Sequence, residues 1–409
     1  RNHLYRPRIW NNGNFGFDND HVYTTGVAAG VLGVLSTRGN VREVTATDSV
    51  GSVAAPIGRI SNVSVIDGDL GLTIGGEEFS VAGLDGASSL VAGNSVGPVR
   101  ALQSTGLVPS LQNLLDNSEQ AQAGDGDDED GTAGDRVVES PLFGEGEFAH
   151  DGGTESWLIG SVEAGQSITR MNLQRIGAGV DIVAEQDVRN VQIIGATAQI
   201  ETGFYGVFDR SSIVAENGNV WFVTVGAARG NRISVRSDSL IDIQANGMIH
   251  SVNVTGDILG DIGFQPGDVN DTDMVNFVRS LSGSIGRDNL ATPGTPGDPF
   301  VPTIAAAGNV RSVSAFGDIM ASIDAGRVGQ VRTEVGTIGN EVTSIQSDSG
   351  VQMVLAGEGI GSDIVAGDDV NRVWARAGAF TGDLTAGRNL NSLRVDGLGS
   401  GNAVDSAIN

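Results

Sequence analysis

The chain has 409 residues, a formal charge of −26 from 50 acidic and 24 basic side chains, and no cysteine. All 24 basic residues are Arg, which excludes Schiff-base lysines and P-loops, and the lack of Cys excludes disulfides and thiol chemistry. So acidic a body argues against a phosphate-binding surface, and no nucleic-acid partner is expected.

Gly accounts for 61 residues, roughly twice ordinary usage, which disfavours a helical repeat. Aromatics are only 5% while mean hydropathy is −0.01, so the core is expected to be Val, Ile and Ala. No apolar run approaches the ~18 residues of a membrane-spanning helix, and no membrane span is expected. A chain that starts at Arg1 without Met reads as a processed or partial product, and zero Cys permits export.

Residues 1–25 differ in composition from the rest of the chain. Tyr5, Trp10, Phe15, Phe17 and Tyr23 concentrate aromatic side chains there, and Arg1, Arg6 and Arg8 make the start locally basic. One reading is a cap over the open end of a repeat array. The other is an arm that docks on a neighbouring copy, with Tyr5, Arg6, Arg8, Trp10, Phe15 and Phe17 at the interface.

A repeated phrase then takes over. It runs GNVREVTATDSVGSVAAPI from Gly39, GRISNVSVIDGDLGLTI from Gly58, and is clearest from Gly308 to Asn409. Apolar pairs three apart recur, as in Val41/Val44, Ile60/Val63, Val220/Val223, Val310/Val313 and Val370/Val373. Pairs four apart occur in several turns, such as Ile258/Ile262, Ile319/Ile323 and Ile360/Ile364. Such spacings also suit a helix, but Gly separates the pairs and most members are β-branched. Asn or Asp beside the Gly suits corners in the left-handed conformation. The expectation is an all-β chain: a single-stranded parallel β-helix, or β-solenoid, with coils of about 20 residues stacked about 4.8 Å apart.

Two looped-out insertions interrupt it. Residues 107–164 are acidic, with a short helix expected around Leu111, Leu114 and Leu115. Residues 264–307 are Pro-rich, with a second short helix expected in DMVNFVRSL. The solenoid then occupies 26–106, 165–263 and 308–409, read as one rod.

Chemistry-bearing motifs are sparse. Asp125, Asp127, Asp128 and Asp130, before Gly131, approximate the alternating oxygen ligands of a calcium loop, or else form a solvated acidic loop. Gly93-Asn94-Ser95-Val96-Gly97 matches the nucleophile-elbow string but lies inside a repeat where Val96 is a core position. The four histidines, His3, His21, His150 and His250, lack ligand spacing. No catalytic residue is assigned.

Three resemblances bear on function. GDVNDTDMVNFVRSL resembles the start of a dockerin calcium loop, with Asp268 and Asn270 at the first two ligand positions and departures at Thr272 and Arg279. Gly367-Asp368-Asp369 is similar to a string of polygalacturonase-like hydrolases, but the chain has no GHG and, lacking Lys, no RIK, so a coil corner is the better account. The repeat as a whole resembles the β-solenoid passengers of secreted bacterial surface proteins, over roughly three quarters of the chain. It implies an extracellular or cell-surface, non-enzymatic structural subunit that self-assembles into a filament, sheath or surface layer. The alternatives are a polysaccharide-binding or polysaccharide-degrading β-helix and a calcium-dependent adhesin. The expected partners are therefore further copies of the chain or a polysaccharide, with calcium the one cofactor suggested.

Overall fold

The computed structural model describes residues 8–11, 21–25, 31–101, 157–195, 210–263, 272–287 and 301–396, with short gaps inside these ranges. The chain forms two compact units, residues 1–162 with 172–174 and residues 163–171 with 175–409. Every regular element among the described residues is a β-strand, and most pairings are parallel.

In the first unit, strand Asn40–Ala46 pairs in parallel with Val63–Val65, which pairs with Val96–Ala101. Val44, Val63 and Val99 thereby stack in one row, and Val41, Ile60 and Val96 in another. A second sheet aligns Val34, Val53 and Leu90. The stack starts earlier than the phrase at Gly39 suggests. Strand Val31–Leu35 pairs with Val50–Ala55, and His21–Thr25 pairs with Asn40–Ala46. Strand Arg8–Asn11 lies antiparallel on His21–Thr25, with Trp10 opposite Tyr23.

In the second unit apolar residues stack in rows from pass to pass, among them a row that joins Val191, Val223, Val252, Val278 and Val313, and three more. One is Val188, Val220, Ile249, Val275, Val310, Val328, Val351, Val370 and Leu390. A second is Ile182, Ile213, Ile243, Ile262, Ile304, Ile323, Ile345, Ile364 and Leu384. The third contains Ile258, Ile285, Ile319, Ile338, Ile360 and Phe380. All but Leu390 are buried. Branched side chains suit this stacking because their stiff χ1 angles let identical neighbours nest on a pleated surface. Each fully buried Val or Ile contributes roughly 1.5–3 kcal/mol.

The corners are made differently from the sequence expectation. The repeated glycines at 58, 367 and 387 do not have the left-handed conformation, which occurs instead at Gly226, Gly263 and Gly339. They are Gly because the passes touch. A Cβ at Gly58 would strike the carbonyl of Gly39, and one at Gly387 would strike that of Gly367. The Asp and Asn beside them serve as acceptors. Asn40 Oδ1 accepts from the Arg59 N–H at 2.9 Å, and Asp318 Oδ1 accepts from the Thr337 N–H at 2.7 Å. Asp238, Asp257 and Asp242 accept in the same way from the N–H groups of Asp257, Ser284 and Asp261. Each carboxylate thus satisfies a corner donor that the sheet leaves out.

The segment expected to form a short helix is a strand. Met274–Ser280 lies between Met248–Val254 and Thr303–Ala315, with Val275 and Val278 in the apolar rows. Its apolar residues meet a helical period as well as the strand phrase, and packing between two existing strands decides the matter. Residues 272–287 and 301–307 therefore belong to the stack rather than to a looped-out insertion. The other expected helix, around Leu111, lies outside the described residues.

Candidate functional site

The phrase Val-x-x-Val-x-Val turns two adjacent residues outward. In Val220–Val225, Val220, Val223 and Val225 are buried while Trp221, Phe222 and Thr224 are not. The Cα register accordingly passes directly from Val220 to Phe222, skipping Trp221 on both sides. The partner strands skip the matching residue, so the register stays even and each pass shows two adjacent outward residues at the same place.

Four consecutive passes use that display for aromatic side chains and an Arg over them. Phe222 and Phe277 stand on either side of Ser251 in one register column, and each is among the exposed large hydrophobic residues, at 44% and 38%. The His250 ring wedges between them. It meets Phe222 edge-on at 5.1 Å, Phe277 at 6.2 Å and Trp221 at 5.9 Å between centroids. The Arg311 guanidinium, one pass further, lies 5.3 Å from the Phe277 centroid. Asn276 Nδ2 lies 3.3 Å from His250 Nδ1, so the imidazole is held at its edge as well as its faces. Asn253 donates to Ser251 Oγ at 2.7 Å beside this cluster. The result is a fixed strip of apolar ring faces and edges with amide and hydroxyl groups along it.

A second aromatic site lies on the same sheet. Trp374 is flanked by Arg376 at 4.9 Å and Arg394 at 4.8 Å, and its Nε1 donates to Asp396 Oδ2 at 2.9 Å. The hydrogen bond from Arg394 is the main reason the Asp396 carboxyl sits below its ordinary value.

Charge is segregated between faces. Along the strands from Val188 to Val395, the outward positions of the Val-x-x-Val-x-Val phrase hold Arg189, Arg279, Arg311, Arg332, Arg372 and Arg394, and no Asp or Glu. Along the isoleucine row, the residues beside the buried side chains include Asp181, Asp242, Asp261, Asp324, Asp363 and Asp383, and no Arg. Arg210, at a corner, contacts Asp242 at 3.2 Å and Asp261 at 2.8 Å. Burial outweighs these bonds at Asp242 and raises its carboxyl above the ordinary value. Asp242 and Asp261 each also accept a backbone N–H, from Asp261 and Thr303. Their oxygens hold the corners together, as do those of Asp238 and Asp257, both paired with Arg287.

The motifs singled out from sequence fare unequally. Val96 of the elbow-like string is buried in a row beside Ile60, and Asn94 donates to the Ile57 carbonyl at 3.2 Å, a corner arrangement. Asp368 and Asp369 face Arg388 at 3.1 and 3.7 Å, and Asp369 accepts from Asn389 at 2.8 Å, again at a corner. The calcium candidates Asp125, Asp127, Asp128, Asp130, Asp268 and Asn270 lie outside the described residues, as do Tyr5, Arg6, Phe15 and Phe17. Arg8 and Trp10 lie in the antiparallel strand Arg8–Asn11. Among the described residues, no group of three or more His, Asp or Glu side chains is placed to hold a metal ion.

In the sequence His250 is one of four scattered histidines, and Trp221, Phe222 and Phe277 carry no motif. Their common signal is positional. Each falls in the two-residue gap of a Val-x-x-Val phrase, and aligning the phrases puts them on one face.

No family model matches the chain, and no curated protein or solved structure matches it.

Proposed function

We propose that the protein is a non-enzymatic parallel β-helix of the cell surface or extracellular space that binds polysaccharide on its aromatic sheet face. The observation that carries this reading is the strip of Trp221, Phe222, His250 and Phe277 on adjacent passes. A sugar ring offers an apolar face of C–H groups and an equator of hydroxyls. Ring faces with the part-exposed Asn253 and Thr224 beside them meet both demands. Passes recur about every 4.8 Å, so Phe222 and Phe277, two passes apart, stand roughly 9.6 Å apart along the sheet, a span suited to two consecutive sugar rings. The strip is also preorganised by contacts within the protein, which lowers the ordering cost of binding. Affinity electrophoresis through gels containing a panel of soluble polysaccharides tests the reading. Retardation by at least one is expected, and mobility unchanged across the panel overturns it.

A further inference from the structure

The residues around the aromatic strip bear on the charge of its ligand. We propose that the polysaccharide is anionic, bearing carboxylate or sulfate groups that Arg279, Arg311 and Arg372 bind while its rings stack on Phe222 and Phe277. This rests on the polysaccharide reading above and adds the ligand's chemical class to it.

Three observations converge. First, acids outnumber basic residues 50 to 24 in the chain, yet along the strands from Val188 to Val395 the outward positions of this face carry Arg without any Asp or Glu. Scattered placement would mix the two, and a face of one sign attracts the opposite one. Second, Arg279, Arg311 and Arg372 are exposed and make no ion pair among the described residues. By contrast, Arg189, Arg332 and Arg394, on the same face, contact Asp187, Glu334 and Asp396. Guanidinium groups left unpaired on so acidic a protein are available for an external oxyanion, to which they bond bidentately. Third, two of the three charges lie within the strip itself, and Arg372 stands three passes beyond Arg311 on the same face. Arg279 shares a strand with Phe277, and Arg311 lies over the Phe277 ring. A chain whose ring stacks on Phe277 would bring its substituents against both guanidinium groups.

A polysaccharide fits better than a nucleic acid. The flanking acids Asp187, Asp273, Glu334 and Asp396 would repel a backbone carrying a phosphate on every nucleotide. A glycan can carry its charges on only some of its rings and so place them at the Arg residues and away from these acids.

The test uses two pairs of polymers matched in backbone and differing in charge: polygalacturonate with its fully methyl-esterified form, and carboxymethyl cellulose with hydroxyethyl cellulose. The whole chain is run in affinity electrophoresis against each, with oligodeoxythymidylate as competitor. The charged member of at least one pair is expected to bind at least about tenfold more tightly than its neutral partner, and to lose that margin at high salt. The triple variant Arg279→Gln, Arg311→Gln, Arg372→Gln should lose the margin while keeping the wild-type circular dichroism spectrum. Equal retardation by charged and neutral members overturns the anionic inference and leaves the polysaccharide reading standing. No retardation by any of the four overturns both. Displacement by oligodeoxythymidylate at lower concentration than by the charged glycan overturns the inference in favour of nucleic acid.

Discussion

Phe277→Ala separates a binding role for the strip from a merely structural one. The ring is 38% exposed, outward-facing, edge-on to His250 at 6.2 Å and beneath Arg311 at 5.3 Å. Its removal costs the fold the aromatic contact, about 0.5–1.5 kcal/mol, and an exposed cation–π contact of about 0.5–1 kcal/mol. Neither empties a cavity, because the buried rows run through Val275 and Val278 on the opposite side of the strand. Stability should therefore fall by about 1–2.5 kcal/mol, and the chain should remain folded at room temperature. Binding should suffer more. Loss of one aromatic platform costs on the order of 1–3 kcal/mol where flat rings stack on it, which is roughly a fivefold to hundredfold weakening. Affinity electrophoresis and thermal melting on the same preparations read both effects. Phe316→Ala is the control, since Phe316 is a similarly exposed phenylalanine, at 44%, placed at a corner outside the Val-x-x-Val-x-Val positions. Binding unchanged in Phe277→Ala, or weakened equally in both variants, refutes the reasoning.

Two further predictions concern acidic side chains, one at a corner and one within a strand. Asp318→Ala removes the acceptor for both the Thr337 N–H at 2.7 Å and the Thr337 hydroxyl at 3.0 Å. Urea unfolding should show a loss of about 1–3 kcal/mol, with Asp318→Asn much closer to wild type because it keeps an Oδ1 acceptor; equal losses in the two would mean that charge, not the hydrogen bond, matters. Asp324 is raised above the ordinary carboxyl value by burial and then by the charge of Asp348. The folded chain holds this proton to higher pH than the unfolded chain does. The group therefore opposes folding increasingly as pH rises from the ordinary carboxylate value through its raised one. Asp324→Asn should melt near wild type at about pH 3 and above it at about pH 7. A difference in melting temperature that does not change with pH refutes this.

Much of the fold was legible because the repeat writes its own packing. The Val41/Val44, Val310/Val313 and Ile319/Ile323 pairs, with Gly between them, mark inward positions, and all are buried. The corners were legible as corners but not in their cause. Gly58 and Gly387 look like residues chosen for backbone freedom, and only the neighbouring pass shows that a carbonyl leaves no room for Cβ. Asp318 likewise reads as a turn former until Thr337 is placed beside it. DMVNFVRSL misled because Val275, Val278 and Leu281 satisfy a helical period and a Val-x-x-Val strand equally well.

By itself the sequence determined which residues face inward, because burial depends on local alternation of apolar and polar side chains along each strand. It also determined the charge of each outward position once the phrases are aligned. The tertiary structure alone decided which outward positions are neighbours. Val220, Ile249, Val275 and Val310 stack in successive passes although the chain between them varies in length. Register is set by backbone pairing and by the apolar rows, not by distance along the chain. That is why Phe222, His250, Phe277 and Arg311, unremarkable and far apart in sequence, come together as one strip.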